Sequence, residues 1–315
     1  MNRIKIRSYE PADIHDVVPL LNRCLPADEM NSEVFQRKVL LDINYNPRGT
    51  LVALDGDKVV GFGLGIVRRY PNEDSAPDFD RSYITLLAVD EAYRRQGIGR
   101  SILALLDAYF RESKCVGTWV CFYAPNYFSC GIDVNAYPEG LEFFKAMGFA
   151  EVMRPQSMDA NLVRFSTPDW VNEKEKALQG KVTFEPYRPE LILPLLDWMR
   201  ADFPGDWQRF AREAMTNITL GVARPDSVWI AHEKGKVLGY CQHDNNCRFG
   251  PFGVSSAERG RGIGAILLCK ILHAMRQKGL HNAWFLWTDD KVGKLYHDAG
   301  GFEESRRFAL LKKVF

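Results

Sequence analysis

The sequence predicts an α/β (α+β) fold built twice in tandem, in which each copy is a mixed, twisted β-sheet flanked by helices. Three observations predict it: a length of 315 residues, short motifs that recur in the same order in both halves, and β-rich runs that alternate with helical spacing. A single core rarely grows beyond about 250–300 residues, so this length favours two domains.

Four motifs recur with offsets that only shrink along the chain, which unrelated domains would not show. The motifs are Y-x-P at 9–11 and 187–189, K-V-x-G at 58–61 and 236–239, R-x-x-G-x-G at 94–99 and 259–264, and G-F at 148–149 and 301–302. The predicted division is an N-terminal domain over 1–155, a linker over 156–180 and a C-terminal domain over 181–315.

Each copy shows the same order of elements. Pro11 suits the first turn of a helix, Asp55-Gly56-Asp57 suits a hairpin turn, and the apolar residues of 97–113 share one helical face. The predicted helices are 11–24, 31–42, 97–113, 138–147, 189–200, 206–215, 262–278 and 291–299. The predicted strands are 51–54, 58–67, 83–89, 117–123, from Phe149 onward, a hairpin over 227–242, 247–254, 283–288 and 302–313, with 161–165 as an additional last strand of the first domain.

The composition excludes several classes of protein. A net charge of +1 gives no overall attraction to nucleic acid or anionic membranes. The seven cysteines are scattered without metal-type spacing, which favours reduced thiols and no metal site. No apolar run approaches the roughly 18 residues that cross a bilayer. We therefore expect a cytoplasmic protein that binds neither nucleic acid nor membranes.

The two R-x-x-G-x-G motifs each stand between a predicted strand and an amphipathic helix. The first amides of such a helix lack partners within it, and its dipole is positive there. A diphosphate at that end meets several donors, and glycine lets it approach the backbone. A single such motif could also be a tight turn before a core helix; its repetition at equivalent places favours a phosphate site.

With Leu-Ala-Val at 87–89 and Phe-Gly-Val at 252–254 before the two loops, the chain resembles the GCN5-related N-acetyltransferase (GNAT) superfamily over nearly all of both halves. The resemblance implies acetyl-CoA (coenzyme A), with its diphosphate on the glycine loop and its pantetheine arm along the preceding strand. The residues that it assigns to coenzyme binding are Leu87, Ala88, Val89, Arg94, Arg95, Gln96, Gly97, Ile98, Gly99, Arg100, Phe252, Gly253, Val254, Arg259, Gly260, Arg261, Gly262, Ile263 and Gly264.

The resemblance also implies a tyrosine, on the helix after the next strand, that protonates the leaving sulfur. Tyr296 supplies it in the second half, although the doubled Gly300-Gly301 places it one residue further from Phe302 than usual. Phe144 stands there in the first half and cannot donate a proton, and the nearby Tyr137 has a different spacing. Catalysis is therefore predicted in the C-terminal domain.

The general base stays open. His243 with Asp244 could act through a water molecule, or His243 could be a surface histidine. The acidic segment 73–80 could attract an amine or be a solvated charge run. The segment 124–133 could wall a pocket in the first half or be an ordered surface loop.

The resulting prediction is an N-acetyltransferase that acts on a small-molecule amine, as a monomer or a homodimer. Amino sugars, aminoglycosides, polyamines and amino-acid derivatives are the predicted substrate classes, and a cysteine-containing glycoside and a peptide N-terminus are left open. The alternative is a non-catalytic acyl-CoA-binding sensor or scaffold, at least for the N-terminal domain.

Overall fold

The computed structural model describes residues 4–70, 80–126, 128–203 and 205–315, so most of the acidic segment 73–80 lies outside the described residues. Fourteen strands and nine α-helices lie in this part of the chain. The strands are β1 (Lys5–Ser8), β2 (Thr50–Asp55), β3 (Lys58–Val67), β4 (Arg81–Val89), β5 (Gly117–Val120), β6 (Ile132–Asp133), β7 (Ala150–Met153), β8 (Gln156–Asn161), β9 (Thr183–Pro186), β10 (Val228–Glu233), β11 (Lys236–His243), β12 (Phe249–Val254), β13 (Asn282–Thr288) and β14 (Phe302–Val314). The helices are α1 (Ile14–Cys24), α2 (Ser32–Phe35), α3 (Ile98–Glu112), α4 (Pro138–Ala146), α5 (Asp169–Leu178), α6 (Ile192–Asp202), α7 (Asp206–Thr219), α8 (Ile263–Gln277) and α9 (Asp290–Gly300).

The chain forms two compact units. Of the described residues, the first unit holds those up to 70, from 80 to 155 and from 307 to 315, and the second holds those from 156 to 306. The mixed α/β architecture of two similar units agrees with the fold class that the sequence predicts.

The sheet of the first unit has the strand order β1-β2-β3-β4-β5-β14, and β14 also pairs with β6 and β7. Strands β4 and β5 are parallel, and the other pairs are antiparallel. Apolar side chains of α3 form a core on one face of this sheet, and those of α1 and α2 form a core on the other.

Alternate glycines of β3 let α3 lie close against the sheet. A Cβ atom at Gly65 would lie 2.6 Å from the Phe110 ring, and one at Gly63 would lie closer still to Ile102. Because real Cβ contacts are essentially never that short, a side chain at either position would force α3 or its side chains to move away from the sheet.

The second unit contains an antiparallel sheet in the order β12-β11-β10-β9 and an antiparallel pair of β8 with β13. A parallel bridge joins Arg248, the residue before β12, to Trp284 of β13. A core that includes α8 packs on one side of the sheet, and a core that includes α6 and α7 packs on the other.

In each unit, one strand pairs with a strand that is far from it in sequence. Strand β8 follows the first unit in sequence, yet Ala160 pairs with Ala283 of β13 in the second unit. In the first unit, β14 lies between β5 and β7, where Leu311 pairs with Val120 and Glu151. Phe308, Ala309 and Leu311 are fully buried, so this strand is part of the first unit's core.

The structure therefore differs from the predicted division in two places. The segment 156–180 is not a bare linker, because it carries β8 and α5, and 307–315 belongs to the first unit. The predicted strand 161–165 is absent, because Asn161 ends β8 and a 3-10 turn, Leu162–Arg164, follows.

Most predicted elements are confirmed, with ends that shift by a few residues. The helix predicted over 11–24 opens with a 3-10 turn at Pro11–Asp13, and the one predicted over 31–42 divides into α2 and a π-helical turn at Gln36–Leu40. Strands β1, β6, β8 and β9 and helix α5 were not predicted.

The last residue of β11 is a buried histidine, His243. His243 donates through Nδ1 to the Asp244 carbonyl oxygen (2.9 Å), and its Nε2 accepts from Lys278 Nζ (2.9 Å). Lys278 also contacts Ser227 Oγ and the Asp226 carboxylate, each at 2.8 Å. Burial and the Lys278 charge lower the pKa of His243 to about 4.

This lowered pKa predicts a loss of stability in acid. The unfolded chain binds a proton at His243 below about pH 6.5, whereas the folded chain binds it only near pH 4. The contribution is therefore complete above pH 6.5 and is lost as the pH falls toward 4, by about 3 kcal/mol at most. Urea unfolding of His243→Gln between pH 7 and pH 4 should show a smaller loss than wild type, while His281→Gln, at an exposed site, should match wild type. Equal losses in all three proteins would contradict this assignment.

The position of β14 predicts that the first unit depends on the end of the chain. Deletion of 307–315 removes the strand between β5 and β7 and exposes both edges. Hydrogen exchange should then lose protection in β5, while α8 of the second unit keeps it. Val314→Ala is the control, because Val314 is 71% exposed and its truncation should leave protection unchanged. Persistent protection of β5 in the deletion would refute the dependence.

Candidate functional site

The two glycine loops have the same backbone conformation. Arg94 and Arg259 are extended, with φ and ψ of −65° and 159° and of −66° and 155°. Gly97 and Gly262 are left-handed, with φ and ψ of 86° and −4° and of 90° and −3°. Glycine adopts this region without steric cost, and each glycine precedes a 15-residue helix.

The loop of the first unit presents unpaired amides to open space. In α3 the first internal bond runs from the Ser101 amide to the Gly97 carbonyl (2.9 Å), and no side chain caps the helix. The amides of Ile98, Gly99 and Arg100 precede that bond, so they have no partner within the helix. A Cβ atom at Gly97 would meet nothing within 4 Å. The loop can therefore receive an anion.

The side chains around this first loop add positive charge. Arg95 and Arg100 are exposed, and no described residue forms an ion pair with either. Arg94 donates to the Val89 carbonyl (3.3 Å) and pairs with Glu139 (3.3 Å). Gln96 donates to the Ala92 carbonyl, which stabilises the turn itself.

Strand β4 separates from β5 just before this loop. The two strands pair only from Arg81 to Ile84, and a bulge against β3 follows between Ile84 and Leu86, at Thr85. The Asp90 amide donates to Val60 of β3 (2.9 Å). Because main-chain groups of successive residues point to opposite sides of a strand, those of Leu87 and Val89 point away from β3, toward the gap.

An open cleft of about 550 Å³ occupies this gap. It is mainly apolar, and it is lined by Leu25, Asp28, Ile84, Thr85, Leu86, Leu87, Val120, Cys121, Phe128, Ser129, Gly131, Ile132, Tyr137, Gly140 and Phe144. The segment 124–133 thus walls a pocket in the first half, as one of its two interpretations predicts.

Two polar side chains meet at this cleft. The Tyr137 hydroxyl donates to Asp28 Oδ2 (2.7 Å) and accepts from the Ala27 amide (3.1 Å). Tyr137 immediately precedes α4, and Asp28 lies in the connection after α1. In the sequence, the spacing of Tyr137 differs from that of the expected tyrosine, and no motif marks Asp28.

The loop of the second unit is covered. A Cβ atom at Gly262 would lie 2.9 Å from Cβ and 3.0 Å from Cγ of Lys174 on α5. Helix α5 is fastened to α8 by an ion pair between Glu175 and Lys270 (2.7 Å). The methylene groups of Lys174 thus occupy the space that is open beside Gly97.

The second loop also has less available positive charge. Arg261 forms ion pairs with Glu233 (2.8 Å) and with Glu258. Arg259 is exposed. Gly260 stands where the first loop has Arg95, and both residues are left-handed, with φ of 82° and 62°. One of the two arginines of this loop is therefore already neutralised by the protein.

The gap between β12 and β13 is filled by aromatic rings. The Ser255 amide donates to Leu238, as Asp90 donates to Val60 in the first unit, so Phe252 and Val254 correspond to Leu87 and Val89. By the same register, the cleft residues Ile84, Leu87, Val120 and Phe144 correspond to Phe249, Phe252, Phe285 and Tyr296. On the other face of β12, Phe203 and Trp207 pack against Gly253.

Tyr296 lies inside this aromatic cluster. Its ring centroid lies 4.5 Å from that of Phe285, 5.6 Å from that of Phe252 and 5.7 Å from that of Phe302. Phe144 contacts Phe149 in the same way, at 5.1 Å, so the two helices correspond despite the doubled glycine. Burial raises the pKa of Tyr296 well above its ordinary value, so it is protonated at neutral pH.

Other candidates are placed elsewhere. His243 Nε2 is occupied by Lys278, so this histidine has no ring nitrogen available as a base. Among the described residues, no group of three or more His, Cys, Asp or Glu side chains could hold a metal ion. No helix in the described ranges is both long and apolar enough to span a bilayer.

Comparisons with solved structures reveal likenesses in fold over the whole chain, at low identity. A GCN5-related N-acetyltransferase from Sphaerobacter thermophilus has a TM-score of 0.71 at 18% identity, covering 100% of this chain and 96% of its own. A tandem GNAT protein from the clavulanic acid biosynthesis pathway has a TM-score of 0.61 at 16% identity, with 99% and 98% covered.

A fungal multi-domain GH3 β-N-acetylglucosaminidase, described as containing a GCN5-related glucosamine N-acetyltransferase region, has a TM-score of 0.81 at 18% identity. The likeness covers 99% of this chain, which spans only 38% of that protein. No curated protein matches the sequence.

The family model of the acetyltransferase (GNAT) family matches residues 14–137 and 192–300. These ranges include both glycine loops and cover more than half of the chain. The protein therefore belongs to the GNAT acetyltransferase family, with one copy of the family's domain in each half.

Proposed function

We propose that this protein transfers the acetyl group of acetyl-CoA to a small-molecule amine and that its first unit holds the coenzyme. The observation that carries the proposal is the continuity of three features in that unit: the open cradle at Gly97, the unpaired edge of β4 at Leu87 and Val89, and the cleft between β4 and β5.

The residues of the first unit fit the coenzyme. The amides of Ile98, Gly99 and Arg100 would hold its diphosphate, and Arg95 and Arg100 would add charge. The main-chain groups of Leu87 and Val89 would hold its extended arm, as a further strand pairs with a free edge. The Val89 carbonyl already accepts from Cys24 Sγ (3.4 Å) and Arg94 Nε (3.3 Å), which leaves its amide as the donor.

When bound, acetyl-CoA supplies an activated acyl group as a thioester. The cleft contributes by excluding water and by bringing the acceptor within reach of that group. The bulge at Thr85 turns a main-chain amide out of the regular ladder, and such an amide can polarise a carbonyl.

The two halves do not fit the coenzyme equally. The sequence favours the C-terminal domain because Tyr296 stands in the family's place for the general acid. The geometry favours the N-terminal unit. In the second unit, Lys174 and the rings around Tyr296 occupy the corresponding space, and the charge of Arg261 is neutralised by glutamates. The role of Tyr296 stays a prediction, and a variant separates the two possibilities.

The cleft also limits the acceptor. The space that the centre of a water-sized sphere can reach in this cleft is about 90 Å³, and it must also admit the acetyl end of the coenzyme, which favours a small amine over a folded protein. Glucosamine, which the description of the fungal protein names, spermidine, an aminoglycoside and an amino-acid amide make a suitable panel of candidate acceptors.

Calorimetry with coenzyme A tests where the coenzyme binds. We expect one equivalent bound by wild type, at least a tenfold loss of affinity in Gly97→Ala and less than a twofold change in Gly262→Ala. Both substitutions place a Cβ atom at a left-handed residue, which costs about 1–2 kcal/mol in each. They are therefore matched for backbone strain, and thermal melting checks that both fold. Loss of binding in Gly262→Ala alone would place the coenzyme in the second unit.

A thiol-release assay with the amine panel tests the reaction. We expect Tyr296→Phe to keep wild-type turnover within twofold, because its ring packing is retained. A fall of tenfold or more, with unchanged affinity for coenzyme A, would instead place the proton donor in the second unit. Coenzyme binding without thiol release for any amine would favour the acyl-CoA sensor.

A further inference from the structure

The cleft of the first unit contains one acidic side chain in an apolar lining. Of the fifteen described residues that line it, Asp28 is the only Asp or Glu, and no lysine, arginine or histidine is among these fifteen. The other titratable side chains of the lining are Cys121, beyond β5, and Tyr137, before α4. A carboxylate attracts a nearby cation, so Asp28 would draw an ammonium group toward its side of the cleft.

The carboxylate of Asp28 is held in place. Tyr137 Oη donates to Asp28 Oδ2 (2.7 Å) and itself accepts from the Ala27 amide (3.1 Å), so the tyrosine is fixed by the same turn whose aspartate it contacts. These contacts join residues 109 positions apart in sequence. A side chain fixed in this way can act with defined geometry.

We propose, on the basis of the proposed acetyl transfer, that Asp28 binds the acceptor as its ammonium ion and removes its proton, and that Tyr137 positions Asp28. The cleft thereby favours acceptors that carry an ammonium group. An amine must be neutral to attack a thioester, but the free amine is mostly protonated at neutral pH. A carboxylate at the cleft supplies both the attraction for the cation and the base that neutralises it.

The step balances without a further reactant. Asp28 accepts one proton from the ammonium group, and the freed lone pair of the nitrogen forms a bond to the thioester carbonyl carbon. The carbon–sulfur bond then breaks, and a second proton passes from the nitrogen to the departing sulfur. The products are the N-acetylated amine and a thiol, and Asp28 returns its proton to solvent.

The test uses three variants of the full chain, acetyl-CoA and the panel amine that wild type acetylates fastest. Asp28→Asn keeps the size of the side chain and an oxygen that can accept from Tyr137. We expect it to lower kcat/KM for the amine at pH 7 by about 100-fold or more. This deficit should shrink by about tenfold per pH unit toward the pKa of the amine, because a neutral amine needs no base.

Tyr137→Phe removes the hydroxyl that contacts both Asp28 and the Ala27 amide, so we expect about a tenfold loss with the pH profile of wild type. Glu29→Gln is the matched control, because Glu29 is exposed and does not line the cleft; its rate should stay within twofold of wild type. The affinity of each variant for coenzyme A, measured separately, should stay within twofold.

The outcomes distinguish the two proposals. An Asp28→Asn deficit that is the same at every pH, or no deficit, would overturn the role of Asp28 while acetyl transfer stands. A wild type that binds no coenzyme A, or that acetylates none of the panel amines, would overturn the proposed function and this inference with it.

Discussion

The cleft exists because β4 diverges from β5. Pairing stops at Ile84 and Val120, and from there one edge of β4 has no neighbouring strand. The same strand leads through a short turn to Gly97, where α3 begins. The first amides of α3 lack partners because no helical turn precedes them. Unpaired backbone groups are costly when buried, so they persist where solvent or a ligand reaches them. The cleft and the cradle are thus one continuous line of unsatisfied donors.

The two halves keep this backbone and differ in what covers it. Gly97 and Gly262 have nearly equal dihedral angles, yet one faces open space and the other faces Lys174. The aliphatic positions of the cleft are replaced by phenylalanine in the second unit, where ring contacts add packing energy. The duplicated backbone is therefore retained even where side chains fill the space beside it.

Local patterns in the sequence predict the loops, the hairpins and the helices of both copies, because their glycines, turn residues and apolar spacing act within a few residues. The patterns do not predict contacts made across long separations. Tyr137, just before α4, has a different spacing from the tyrosine that the family resemblance implies. Its partner Asp28 lies in a connection that no motif marks. Lys174 belongs to a segment that composition marks as a linker. The aromatic filling around Tyr296 is visible only once the register of the two copies is fixed by hydrogen bonds, and it bears directly on which half is suited to bind a ligand.

The pairing of β14 with β5 stabilises one wall of the cleft. Leu311 pairs with Val120, and Val120 lines the cleft at the point where β4 and β5 part. The apolar side chains of β14 at this point are fully buried, so they hold β5 in place while β4 bends away. If β14 were absent, β5 would have no partner beyond its short parallel pairing, and nothing would keep the gap at a fixed width. The geometry of a cleft made by residues 25–144 thus depends on the last nine residues of the chain.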